Sequence, residues 1–378
     1  MTRLLRNVIP KAATMTSTMS APMSATMNAT MNATIQQKLH FNKELHPHIP
    51  DLLTRKQYEQ RTPEWYEVRK NLITASSASQ GLTMEERVVR PYIDAFGLHG
   101  SVKVSPRKCC AYNGTVQTII LDKCGLGEPF TGNEYTRWGQ KYEPIACTIY
   151  SQMHQVDVLE FGLLVHEEHS FLGASPDGIT TSGCMLEIKC PPIRPVHTHP
   201  PLHYYIQMLL QLECTGLETC DYMDCKFVEY VHEDDFLDDA LAWEAANPDA
   251  SYHVFGIFMT TRDDELGDEG DVHHYPPVHL RKIEEFVEWS REQTGERVFY
   301  KLHDHHICRV RADKDWFEAV RPKLKDVWDK ILYHRTEEGL QRLKDELAVK
   351  ALAKLERAQK RGGTKSSPAR LTYSTSLF

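Results

Sequence analysis

The stretch from Gly173 to Pro192, GASPDGITTSGCMLEIKCPP, sets two carboxylates and an amine close together. Within CMLEIKC, only Ile188 separates Glu187 from Lys189. Side chains alternate across a strand, so these two share a face with Met185, while Leu186, Ile188 and Cys190 point the other way. Asp177 closes the preceding apolar run. The GITTSG between them, with Gly178 and Gly183, has the length and composition of a hairpin turn. Such a hairpin brings Asp177 beside Glu187. Neighbouring carboxylates repel unless a cation lies between them. Hard oxygen ligands with water positions to spare suit Mg2+, with Mn2+ as a substitute. A lysine alongside can orient or deprotonate a water, or steady charge on a phosphoryl oxygen. The plainer alternative is a surface Glu/Lys pair of little energetic consequence.

These residues need a frame. DLLTRKQYEQ and TPEWYEVRKNL read as helices, the second with Thr62 as N-cap and Pro63 in the first turn. TMEERVVRPYIDAF reads as another, and residues 98–132 as irregular or short-stranded. NEYTRWGQKYEPIACTIYSQM is a long helical pattern with a stripe of Trp138, Tyr142, Ile145 and Ile149. Three short strands follow, VDVLEFGLLV, SFLGASPD and CMLEIKC, then a helix, LHYYIQMLLQLECTG, closed by Gly216. CDYMDCKFVEY and YHVFGIFMTT read as strands, with acidic material between and after them as a surface insertion near 231–272. His303–His306, HDHH, falls in an expected loop, and the chain ends in helices. This order predicts an α/β fold with a mixed sheet rather than a doubly wound array. No Gly-rich phosphate loop of the nucleotide-binding type is present.

The bulk composition is that of a soluble globular protein: 378 residues, 41% hydrophobic and 25% charged. No run approaches the roughly 20 apolar residues that span a bilayer, so no membrane partner is expected. The net charge of −8 disfavours a wholly basic surface, yet a local positive patch is enough for nucleic acid. Lys350–Arg370 carries seven Lys or Arg against the single acid Glu356. It reads as a DNA contact or a solvated helix face within a basic helix and flexible tail, 341–378. The ten cysteines read as reduced thiols of an intracellular protein. Cys109, Cys110 and Cys124 lack the C-x-x-C pair that would argue for zinc. Residues 1–40 are low in complexity and hold no acid before Glu44. That is the composition of a mitochondrial transit peptide, but the repeat has no amphipathic face, which favours a disordered tail.

Asp177, Glu187 and Lys189 match the P-D…(D/E)-x-K signature of a large nuclease superfamily. The blocks RTPEWYEVRKNLITASSAS, RWGQKYEPIACTIY, LGASPDGI, LEIKCP and YYIQMLLQLECTG stand in the order found in one branch of it. The chain thereby resembles the lambda-phage exonuclease and YqaJ-type viral recombinase family. The resemblance implies a restriction-endonuclease-like core within 41–340, with a mixed central sheet flanked by helices and a helical C-terminal part. The activity implied is a Mg2+-dependent deoxyribonuclease, a phosphodiester hydrolase working as an exonuclease 5′ to 3′ on linear duplex DNA. Its setting would be viral-type recombination, replication and repair. A structure-specific or single-strand endonuclease, and an inactive DNA-binding scaffold, are the alternatives.

Residue by residue, the resemblance makes Asp177, Glu187, the Ile188 carbonyl and Glu143 metal ligands, and Lys189 the catalytic lysine. Gly139 and Ala146 share a helix face with Glu143, and their smallness would let that helix approach the sheet. Arg69 and Ser76 match contacts to a 5′-phosphate; Arg offers a bidentate fork, and Ser76 would stand at a helix N-terminus. Ser175 and Gln207 match residues close to the scissile phosphate. Glu167 stands where the family often has a further acid, with a plain loop carboxylate as the alternative. An iron–sulfur variant needs four suitably placed cysteines, and the late chain offers only Cys308, so no cluster is expected. The partners implied are double-stranded DNA ends and a single-strand annealing protein, with an oligomer allowed. The long N-terminus and acidic insertion point to a large DNA virus of eukaryotes or a eukaryotic relative. The compartment would then be the nucleus or cytoplasm of a host cell.

Overall fold

The computed structural model describes residues 39–41, 44–105, 107, 109, 115–127, 132–263 and 271–362, with side chains to 357. The low-complexity N-terminal stretch and the last part of the basic tail lie outside the described residues. The chain begins with α1 (His48–Thr54), β1 (Gln57–Tyr58), α2 (Pro63–Lys70), β2 (Ile73–Thr74), the short α3 (Ala75–Ala78) and α4 (Glu86–Phe96). It continues through α5 (Val116–Lys123) and the long α6 (Glu134–His154). Five strands follow: β3 (Val158–Leu159), β4 (Leu163–Val165), β5 (Leu172–Ala174), β6 (Gly178–Thr180) and β7 (Cys184–Lys189). Then come α7 (Leu202–Thr215), β8 (Thr219–Tyr230), α8 (Glu233–Ala246), β9 (Phe255–Arg262), β10 (Asp271–His274), α9 (Ile283–Arg291) and β11 (Glu296–Arg311). Helices α10 (Lys314–His334) and α11 (Glu337–Gly362) close the described chain.

The strands form a four-stranded sheet, β1-β4-β5-β2, and a seven-stranded sheet, β10-β9-β11-β8-β7-β6-β3. The larger sheet is mixed: β7 and β8 run parallel, and its other pairs are antiparallel. The sheet has two differently covered faces. Leu186 and Ile188 of β7 and Cys190 just after it, with Met223, Cys225 and Phe227 of β8, bury against Tyr142, Ile145, Ala146 and Ile149 of α6. Met185, Cys220 and Tyr222 belong to the opposite core, with Tyr205, Ile206, Leu209 and Leu212 of α7 and the apolar side of α10. The alternation in CMLEIKC is thus realised: one set of side chains meets α6, and Glu187 faces α7. This is the mixed α/β arrangement the sequence predicts, with helices on both faces and a helical C-terminal part.

Several expectations need correction. Helix α1 ends at Thr54, and Gln57–Tyr58 pair with Leu163–Leu164 as a strand. Residues 98–132 contain a full helix, α5, because Thr115 caps it in a reciprocal capping box with Thr118. His303–His306 are not in a loop; they lie inside β11, paired along β8 with a register shift between Leu302 and Asp304. Within the expected acidic insertion the described residues form regular elements: Phe236 and Ala240 of α8 bury against Phe255, Ile257 and Phe299, and β9 lies between β10 and β11. Its acids occupy the outer side of α8. At Gly139 an added Cβ would meet nothing within 4 Å, so close approach of α6 does not depend on that glycine.

Candidate active site

The β6–β7 hairpin pairs Gly178 with Leu186 and Ile179 with Met185. One step further along this antiparallel register, Asp177 stands across from Glu187. The turn is closed by Gly183, at φ +83°, a conformation that favours glycine. A Cβ on Gly178 would come within 2.4 Å of Val158 Cγ1 on the neighbouring β3, so the residue after Asp177 must be small. Asp177 Oδ2 accepts the Ile188 N–H at 2.7 Å, which ties its carboxylate to the backbone of β7.

Glu187 is fully buried, and each of its oxygens is addressed. Gln207 Nε2 donates to Oε1 at 2.8 Å, and Gln211 Nε2 donates to Oε2 at 2.9 Å. Lys189 Nζ forms a close ion pair with Glu187 Oε1, lies 3.8 Å from Asp177 Oδ2, and donates to the Ile188 carbonyl at 3.1 Å. The Tyr204 ring lies beneath that ammonium, 5.1 Å from its centroid. Glu143 stands on α6, which packs on the Leu186 and Ile188 face of β7, and its carboxyl feels the charges of Lys189 and Glu187.

The charges do not balance comfortably. Burial pushes the Asp177 carboxyl well up, Glu187 adds to the rise, and Lys189 opposes it. Burial also pushes Glu143 up, and the largest opposing charge is Arg61, ahead of Lys189. Burial works against the Lys189 ammonium, but Glu187 and Asp177 outweigh it and hold its pKa well above the usual lysine range. Lys189 is therefore a cation at neutral pH, which favours charge stabilisation over the water-deprotonating role the sequence left open. Among the described residues, no three or more His, Cys, Asp and Glu side chains stand close enough to hold a metal ion as placed. In this arrangement Lys189 is what links Glu187 to Asp177.

A second group of side chains continues from the first. Gln211 Nε2 also reaches the Ser175 carbonyl at 3.4 Å, and Ser175 Oγ accepts the Trp65 indole N–H at 3.3 Å. The Arg69 guanidinium stacks over Trp65, 4.2 Å from the ring centroid. The Arg69 carbonyl in turn accepts Lys123 Nζ at 2.8 Å. Ser76 is exposed at the second position of α3, its hydroxyl 3.2 Å from Thr74 Oγ1. Helix α3 packs on α7, the helix that carries Gln207 and Gln211.

The structure thus brings together Asp177, Glu187, Ile188, Lys189 and Gln207, with Glu143 opposite, and joins Ser175 to Arg69 through Trp65. Glu167 is not among them: it is 74% exposed and lies 3.8 Å from Arg55 in the turn before β5. The further acid whose charge bears on Glu143 is Glu160. Sequence reasoning passed over Gln211 and Trp65 as site residues. Both carried a signal, because Gln211 stands one helical turn after Gln207, and Trp65 one turn before Arg69.

A mixed sheet whose hairpin end gathers acids around a lysine is the class of site the geometry defines. Residues 64–218 match the family described as the YqaJ-like viral recombinase domain. Among curated proteins, an uncharacterized protein of Acanthamoeba polyphaga mimivirus is 28% identical over 319 residues, covering 74% of this chain and 53% of that protein. The chain therefore spans about half the length of the curated relative it matches. Among solved structures, an alkaline exonuclease from Laribacter hongkongensis is 18% identical with a TM-score of 0.40, covering 76% of this chain and 100% of that one. A phage-related exonuclease from Haemophilus somnus is 11% identical with a TM-score of 0.34, covering 68% and 97%.

Proposed function

We propose that this chain is a divalent-metal-dependent deoxyribonuclease that degrades linear duplex DNA from its ends, 5′ to 3′. The observation that carries the reading is the convergence of Asp177, Glu187 and Lys189 at the end of β7, with Glu143 opposite. The match of 64–218 to a viral recombinase domain supports it.

The donor set fits a hard divalent ion. It is made of carboxylate and carbonyl oxygens, and Asp177 and Glu143 are both held up by burial together with neighbouring negative charge, which a cation relieves. Asp177, Glu187, Glu143 and the Ile188 carbonyl would hold it, Mg2+ by preference and Mn2+ in its place. The chemistry such an ion supplies is neutralisation of phosphoryl charge and acidification of a water.

The remaining work falls to the chain itself. Gln207 and Gln211 fix both oxygens of Glu187, so its carboxylate cannot rotate away. Lys189, held as an ammonium between two carboxylates, donates to the negative charge that builds on the phosphoryl group during in-line displacement. Arg69, over the Trp65 ring that donates to Ser175 Oγ, offers a planar fork to a terminal phosphate, and the exposed Ser76 hydroxyl would contact the same phosphate. A positioned 5′-phosphate then sets which phosphodiester meets the acids and Lys189, which is the basis for polarity.

Duplex DNA labelled at one 5′ end or one 3′ end, and covalently closed circles, test this reading. Mg2+-dependent release of the 5′ label first, with closed circles intact, is the expected result. Cutting of closed circles as fast as linear DNA would replace exonuclease with endonuclease.

A further inference from the structure

Arg61 carries an unusual backbone for its residue type. It occupies the third position of the turn Glu59–Thr62, closed by the Thr62 N–H to the Glu59 carbonyl at 3.4 Å. Its φ is +67°, in the left-handed region that a glycine adopts freely and an arginine does not. Holding a residue with a Cβ there costs about 1 kcal/mol or more. The turn is fixed at both ends. Gln60 Nε2 donates to the Pro176 carbonyl at 3.4 Å, the residue immediately before Asp177, and Thr62 caps α2 by accepting the Trp65 N–H. The strained position is therefore fastened between the acid cluster and the helix that carries Arg69.

The side chain is exposed, and no hydrogen bond or ion pair within 4.0 Å is made by its guanidinium among the described residues. Its charge nevertheless bears on the cluster: Glu143 and the Tyr275 hydroxyl both feel it. A cation strained in place, without a hydrogen bond or ion pair among the described residues, and fastened through Gln60 beside Pro176 and Asp177 is placed to meet an external anion.

We infer that Arg61 is a DNA-contacting residue of this site, binding a backbone phosphate beside the Pro176–Asp177 end of the cluster. It is distinct from Arg69, which lies across Ser175 and Trp65. The inference rests on the nuclease reading for its setting, but its first test does not need cleavage.

That test uses Arg61→Gly in the full chain. Glycine removes the charge and relieves the strained turn, so the variant is expected to melt no lower than wild type. Binding of a fluorescent duplex is measured by anisotropy with chelator present, over a range of salt. Loss of one phosphate contact lowers the slope of log K against log salt by about 0.9. The expected result is that lowered slope, with a roughly tenfold weaker Kd at low salt, and Arg61→Lys recovering part of the affinity. An unchanged slope and Kd in Arg61→Gly overturns the proposal. Hydrolysis is then read in Mg2+, with an expected fall of at least tenfold in Arg61→Gly. If wild type binds through Arg61 but hydrolyses nothing, the nuclease reading fails and the phosphate contact stands.

Discussion

Gln211 Nε2 donates to Glu187 Oε2 at 2.9 Å from a position that is itself 1% exposed, while Gln211 Oε1 is buried without a hydrogen-bond partner. The donor half of this buried amide is thus shared between the Glu187 carboxylate and, at 3.4 Å, the Ser175 carbonyl. Gln211→Ala leaves Glu187 Oε2 without that donor. The expected cost is about 1–3 kcal/mol in denaturant unfolding, together with a loss of hydrolysis out of proportion to any loss of fold. Equal rates in variant and wild type would show that Glu187 needs no such anchoring.

Asp177 makes the fold less stable than it could be at neutral pH. Its folded pKa is raised by burial and by Glu187, so the fold favours the protonated acid. The associated stability is present in full below the ordinary carboxyl pKa and is lost as pH rises through the raised one. Asp177→Asn keeps an acceptor for the Ile188 N–H and removes the charge. The variant should melt higher than wild type at pH 7, by about 2 °C per kcal/mol relieved, and the advantage should shrink as pH falls toward 4. Added Mg2+ should raise the melting temperature of wild type more than that of the variant. Differential scanning fluorimetry reads both.

Arg69 is expected to read the end of the strand. A hydrogen-bonded contact to a charged group contributes about 1.5–3 kcal/mol, so Arg69→Ala should lose roughly 10- to 100-fold of any preference for 5′-phosphate over 5′-hydroxyl ends. Trp65→Leu removes the stacking surface beneath the guanidinium and the donor to Ser175, and should reduce the same preference. Hydrolysis of both ends slowed equally would place Arg69 elsewhere in the mechanism.

Arg194 and Asp224 form a structural latch behind the site. The fully buried Asp224 accepts Arg194 Nη1 at 2.6 Å and Nη2 at 2.9 Å, and the His197 N–H at 2.9 Å. It lies in register with Lys189 on the adjacent strand. Arg194→Ala strands a buried carboxylate and should cost about 3 kcal/mol. Arg194→Ala combined with Asp224→Leu should cost less than the two changes summed. Additive costs in urea unfolding would contradict the pairing.

Much of this site was legible because its geometry is local. The two-residue period of CMLEIKC and the glycines at 178 and 183 are enough to place Asp177 opposite Glu187 and to turn Glu187 and Lys189 to one face. The long α6 and α7 were equally readable from their apolar stripes. What escaped depends on contacts distant in sequence. Strand β11 is the longest strand, yet its centre reads KLHDHHICR, because half of it faces solvent and its hydrophobic alternation is broken by a register shift. Glu167 and Glu160 are both loop acids near strand ends, and only tertiary packing decides that Glu160 bears on Glu143. Arg61 looks like an ordinary residue ahead of a helix cap until its backbone angle is seen.

The central claim is that the acids and lysine at the end of β7 hydrolyse DNA. The most direct measurement is nucleotide release from linear duplex by wild type and Lys189→Ala, each with Mg2+ and with chelator, after circular dichroism shows that both fold. Release that requires both Mg2+ and Lys189, falling on the order of 100-fold or more in the variant, is the predicted result. Equal release by Lys189→Ala, or none by wild type in any divalent metal, contradicts it.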